Sequence, residues 1–131
     1  MKEVTPDNLA AALMKELEQY SNDVTEGIKE SVERVAKEAN EEIKDHITFK
    51  QHTKKYVKSF RIKKTYDSHY RRERTWCVAN GQHRLTHLLE KGHALHQGGR
   101  TDAFPHIIYG EKLAQERMEE LAKEAIKNAG R

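Results

Sequence analysis

Ten apolar residues, Leu9, Leu13, Leu17, Tyr20, Val24, Ile28, Val32, Val35, Ala39 and Ile43, follow one another at steps of three or four. That spacing draws one stripe along a helix, because a turn takes 3.6 residues. The positions between them are mostly Glu, Lys, Asp, Asn and Gln. Thr5-Pro6-Asp7 suits the start, with Thr5 as N-cap, Pro6 at the first helical position and Asp7 near the positive dipole end. The pattern predicts a single helix from about Pro6 to about Ile47. Such a helix runs roughly 60 Å at 1.5 Å per residue. A compact domain of 131 residues measures only about 35–40 Å across. The rest of the chain therefore cannot cover the whole stripe. Either the helix bends at Gly27, which costs on the order of 1 kcal/mol against Ala in a helix, and folds back, or its N-terminal half, Leu9 to Val24, projects onto a neighbouring subunit. The projecting arm is the reading favoured here.

Composition points the same way. Apolar residues make up 36% of the chain and charged residues 34%, which is little core for much surface. The net charge of +3 hides a division. Residues 1–48 hold 6 Lys/Arg against 12 Asp/Glu, a net −6, and residues 49–74 hold 10 against 2, a net +8. An acidic arm and a basic segment suit different partners, or each other across two copies. The lone Cys77 has no partner for an internal disulfide, and no apolar run approaches the roughly 18 residues of a membrane span. A soluble, cytoplasmic setting without membrane contact is expected.

Beyond the helix, residues 48–55 read as a loop. Tyr56 to Thr65 reads as a strand with Tyr56, Phe60 and Ile62 on one face, and Tyr66 to His69 as a turn. Tyr70 to Ala79 reads as a second strand with Tyr70, Trp76 and Val78 in phase. Together they predict an antiparallel hairpin with a basic face. Asn80-Gly81 ends it. Leu85, Leu88 and Leu89 fit a short helix stopped by Gly92. His96 to Arg100 is a Gly-rich loop, Ala103 to Ile108 a third edge strand interrupted by Pro105, and Leu113 to Ile126 a C-terminal helix. The expected class is α+β: a long N-terminal helix, a small antiparallel sheet, a short central helix and a C-terminal helix, in a single domain of residues 1–131.

Several groups invite chemistry. His83, His87, Glu90 and His93 fall within eleven residues and are the nearest set to a metal-dependent nuclease site. Against that, the set has neither a Cys pair nor spaced carboxylates, and Glu90 suits a cap or a Lys pair. Cys77 has no evident His or Asn partner and reads as a small packed residue. No catalytic residue, metal or cofactor is assigned. The basic segment says more. Lys54, Lys55, Lys58, Arg61, Lys63, Arg71, Arg72 and Arg74 interleave with Tyr56, Phe60, Tyr66 and Tyr70. That composition suits phosphate contact with base stacking, which would make residues 54–74 a nucleic-acid-binding module. It also suits an acidic protein surface, and this chain carries one. Leu9, Leu13, Leu17 and Val24 on the arm, with those eight cations, are the expected partner or subunit contacts.

The stretch Arg84-Leu85-Thr86-His87-Leu88-Leu89-Glu90-Lys91-Gly92-His93-Ala94, then Gly98-Gly99-Arg100 and Ala103-Phe104-Pro105-His106-Ile107, resembles a family of small neck and tail-completion proteins of long-tailed bacteriophages, also called minor capsid or tail-component proteins. The residues carrying it are Leu88, Leu89, Glu90, Gly92, Gly98, Gly99, Phe104, Pro105, His106 and Ile107. The preceding long helix, a hairpin opening on Lys58-Ser59 and the C-terminal helix match in order. The Pro-x-x-Thr-Gly turn common before the hairpin in that family is absent from Phe49 to Lys55. The resemblance implies a structural virion protein with no catalytic residues, assembled in the host bacterial cytoplasm. It implies a self-assembled ring between head and tail, touching other neck, head-closure and tail proteins, with DNA passing through the lumen.

Overall fold

A computed structural model of the chain describes residues 6–48 and 55–130. Helix α1 spans Pro6–Asp45, helix α2 Lys55–Lys58, strand β1 Phe60–Asp67, strand β2 Arg72–Val78, helix α3 His83–Lys91 and helix α4 Ile107–Asn128. The protein is α+β: a long N-terminal helix, a two-stranded antiparallel sheet, a short helix and a C-terminal helix. Thr5, the expected N-cap, lies outside the described residues.

Helix α1 is unbroken through Gly27. Its 40 residues make it about 60 Å long. Gly27 serves close packing rather than a bend: a Cβ there would meet Ala125 Cβ at 2.9 Å. Gly110, near the start of α4, is tighter still, with a Cβ falling 2.5 Å from Ile43 Cγ1 and 3.1 Å from the Ala39 carbonyl. These two glycines bring α1 and α4 together near opposite ends of an antiparallel pair. Between them Arg117 Nε donates to Glu38 at 3.0 Å, and beyond Gly110 the His46 and Tyr109 rings stack at 3.7 Å.

The hairpin crosses α1 on another face. Phe60 pairs with Val78, Ile62 with Trp76 and Lys64 with Arg74, and a bulge follows between Lys64 and Tyr66. Trp76 Nε1 donates to Asn40 Oδ1 on α1 at 2.9 Å. The tightest part of the core is Ile43, Tyr56 and Phe60, with Ile47, Val57, Trp76, Val78 and Leu89 packed around it.

Three local expectations are corrected. Tyr56 sits on the one-turn helix α2 and not in a strand, because Ser59 closes the turn: its N–H reaches Lys55 O at 3.0 Å and its hydroxyl the same oxygen at 2.7 Å. Tyr56 and Phe60 still share the core, since a four-residue step is in phase for both helix and strand. Tyr70 belongs to the turn before β2 and is 75% exposed. No third strand forms at Ala103 to Ile108 among the described residues. The backbone N–H groups there go to α3 instead: Phe104 donates to Leu89 O at 2.6 Å, and residues 106–108 donate to a carboxylate described next.

Candidate functional site and assembly surfaces

The residues that carry the family resemblance form one joint between α3 and α4. Glu90 turns its carboxylate onto the N-terminus of α4. Oε1 accepts from the backbone N–H of His106 at 2.9 Å and of Ile107 at 3.0 Å, and Oε2 from Ile108 at 3.2 Å. The first N–H groups of a helix have no partner within it, so an anion there is doubly favoured. Burial of Glu90 pushes its carboxyl pKa up, but the three N–H donors, with His106 adding to them, outweigh this and hold it below the usual carboxylate range.

His106 is fully buried. Its Nδ1 lies 2.8 Å from the Phe104 carbonyl and 3.1 Å from Glu90 Oε1, both acceptors, so Nδ1 carries the hydrogen. Nε2 lies 2.7 Å from the Tyr56 hydroxyl, which is 3.3 Å from Thr86 Oγ1. Burial pushes the Tyr56 phenol up; the Thr86 hydroxyl opposes that and the Glu90 charge adds to it. Gly92 fits the joint because its φ is +72° and a Cβ would lie 2.6 Å from the Thr101 carbonyl. Gly98 and Gly99, also at positive φ, close the small loop in which Ala94 bridges Arg100. Phe104 and Pro105 lead the chain back to α4.

That geometry places the nuclease candidates. Glu90 has both oxygens committed to α4, and His93 Nδ1 lies 3.1 Å from Thr101 Oγ1. Among the described residues, His83, His87, Glu90 and His93 are not gathered into a metal-holding group. Cys77 is half-buried on the strand face opposite Trp76 and Val78.

The cations of the hairpin divide into two sets. Arg74, expected at a partner surface, is instead only 5% exposed and pairs with Glu33 of α1, with Asp67 3.7 Å away. Arg72, expected there too, reaches Asp67 at 3.4 Å and Glu33 at 3.9 Å. Lys29, buried on α1, adds a 3.7 Å contact to Asp67. Burial acts to raise the Asp67 pKa, yet Arg72, Lys29 and Arg74 together draw it below the usual range. The acidic helix and the basic hairpin thus meet within one chain through these groups. Arg71 pairs with Glu73 and lies over the Tyr66 ring. Lys55, Lys58, Arg61 and Lys63 are exposed, with no carboxylate in ion-pair range among the described residues. Lys54 lies outside the described residues.

The other surface is the start of α1. Among the described residues the C-terminal end of α4 meets α1 at Tyr20, whose hydroxyl donates to Ile126 O at 3.4 Å, and the chain just after it at Asp23, which accepts from Gly130 N–H at 3.1 Å; Ala129 and Gly130 share an open hollow with Leu13 and Leu17. Earlier in α1, Leu9, Leu13 and Leu17 are 50%, 51% and 66% exposed on one face. Val24, expected in the projecting half, is half-buried, so the overhang ends at about Gln19. No protein-family model matches the chain, and no curated protein or solved structure matches it either.

Proposed function

We propose that this protein is a structural assembly subunit, and specifically a neck or tail-completion component of a long-tailed phage particle that forms a homo-oligomeric ring between head and tail. The observation that carries the assembly reading is the overhang of α1. Three leucines at four-residue spacing stand half or more exposed on a stretch of helix that the described residues leave largely uncovered. Contiguous exposed apolar faces of this kind mark interaction sites. The resemblance of Arg84 to Ile107 supplies the particular assembly. In that reading the joint built by Glu90, Gly92 and His106 fixes the angle between α3 and α4 and takes no part in chemistry. Light scattering across a concentration series tests the assembly reading, and Leu13→Glu should shift the mass toward monomer. Mass spectrometry of purified particles tests the phage reading. Particles that lack this chain would refute it.

A second reading has its own observation. Lys58, Arg61 and Lys63 are exposed cations without carboxylate partners among the described residues, and Tyr66 and Tyr70, toward the turn of the same hairpin, are exposed as well. The hairpin as a nucleic-acid module predicts DNA binding that weakens steeply with salt. Absence of binding at low salt removes it.

A further inference from the structure

A groove lies where the hairpin and α4 diverge over the middle of α1. It has a volume of about 410 Å³. Val35 and Ala39 form its floor, Trp76 one wall, and Ala114 and Met118 the other. The small alanines leave a depression that larger side chains can enter.

The chain's own exposed stripe cannot fill this groove. Both lie on the same unbroken helix, and Leu13 is 22 residues from Val35, roughly 33 Å along the axis. A second copy has no such restriction. We infer that the Leu9, Leu13 and Leu17 face of one copy seats in the Val35, Ala39, Trp76 and Met118 groove of the next. This inference rests on the assembly reading above and names its contact.

Charge selects this occupant. Residues 8–26 hold Lys15 against Glu16, Glu18, Asp23 and Glu26, a net −3. The hairpin that walls the groove, residues 60–78, holds six Lys/Arg against Asp67 and Glu73; with Glu33 of α1 counted in, since it pairs with Arg72 and Arg74, the wall keeps a net +3, carried by Arg61, Lys63 and Lys64. An acidic helix is drawn to that wall, whereas two arms laid together would set −3 against −3. An amphipathic helix with apolar residues every fourth position entering an apolar groove is a standard recognition mode. Because arm and groove are different surfaces, the contact is head-to-tail. It closes into a ring where the rotation divides a full turn and grows a filament where it does not.

The test uses two variants of the full chain. Leu13→Asp spoils the arm on an exposed position and leaves the groove intact. Ala36→Trp fills the groove, which Ala36 also lines, and leaves the arm intact. Each alone should assemble on the order of tenfold or more weakly than the unaltered protein. Mixed, they should form a one-to-one complex by light scattering, since one supplies the groove and the other the arm. Disulfide trapping checks the same contact without a bulky substitution. In a Cys77→Ser background, Leu13→Cys protein mixed with Ala114→Cys protein should give a covalent heterodimer. Trapping only between two Leu13→Cys chains would overturn the groove contact in favour of paired arms. An oligomer indifferent to Ala36→Trp, with circular dichroism unchanged, would overturn the groove and leave the assembly reading standing. A monomer at every concentration would overturn both.

Discussion

The Tyr56 hydroxyl lies 2.7 Å from Nε2 of His106, fifty residues further along the chain, and both side chains are buried. The contact ties the one-turn helix before the hairpin to the start of α4. Nδ1 of His106 is turned to two acceptors and Nε2 to the phenol, whose hydroxyl also reaches Thr86 Oγ1 at 3.3 Å. Tyr56→Phe keeps the ring that packs edge-on against Phe60 at 5.1 Å and removes only the hydroxyl. It should cost about 1–3 kcal/mol, the penalty for losing one member of a buried polar pair. Urea unfolding followed by circular dichroism measures it, and a cost below about 0.5 kcal/mol would mean that the network is not structural.

Glu90→Gln should weaken the α3–α4 joint by about 1.5–3 kcal/mol at pH 7, the range for hydrogen bonds to a charged group. The sign with pH follows from the lowered folded-state pKa. In the unfolded chain a Glu titrates near roughly 4.3. Above that value the stabilisation is fully present, and it is lost as pH falls through the folded pKa. The gap between the two proteins should therefore be constant from neutral pH to about pH 5 and close below it. Glu38 and Asp67 are lowered as well, so acid lability of the unaltered protein alone does not isolate Glu90. The difference between the two unfolding curves does, and a gap that widened in acid would contradict the cap.

Gly110→Ala should destabilise, although Ala gains on the order of 1 kcal/mol over Gly in a helix. The new methyl falls 2.5 Å from Ile43 Cγ1 and 3.1 Å from the Ala39 carbonyl, and the backbone oxygen cannot turn aside as a side chain can. Overpacking of this kind costs roughly 1–3 kcal/mol. Gly27→Ala meets one methyl, Ala125 Cβ, at 2.9 Å, and adding Ala125→Gly should recover its loss. Thermal melts of the three proteins rank them. A Gly110→Ala protein more stable than the original would show that α1 and α4 yield easily at that end.

Periodicity revealed α1 because its stripe, from Leu9 to Ile43, runs for about nine turns, too long for a chance pattern. It misread Tyr56 because one four-residue step to Phe60 satisfies both a helix and a strand, and the backbone choice was made by Ser59. The caps and glycines were less visible. The role of Glu90 depends on α4 starting seventeen residues later, and the need for Gly at 110 arises from Ile43 across the helix pair. Only the tertiary contact supplies those reasons. The acidic arm and basic hairpin were legible as opposites, but composition could not tell which cations are spent within the chain. The positions of Glu33 and Asp67 decide that Arg72 and Arg74 are, while Lys58 and Lys63 stay exposed.

That division gives the last prediction. Arg74→Met removes a charge whose side chain is almost wholly buried and leaves Glu33 and Asp67 facing each other with Arg72 and Lys29 alone. Breaking a buried ion pair from one side costs about 3–5 kcal/mol. Glu33 is one-third exposed and can recover water, so the cost should fall at about 2–3 kcal/mol. Lys63→Ala, on the exposed side of the same hairpin, should stay within about 0.5 kcal/mol. The pair Arg74→Met and Glu33→Gln, measured singly and together, gives the coupling between them. A double variant clearly less destabilised than Arg74→Met alone would mean that most of the cost lies in the stranded carboxylate. Strictly additive losses would show that the Arg74–Glu33 pair does not hold helix and hairpin together.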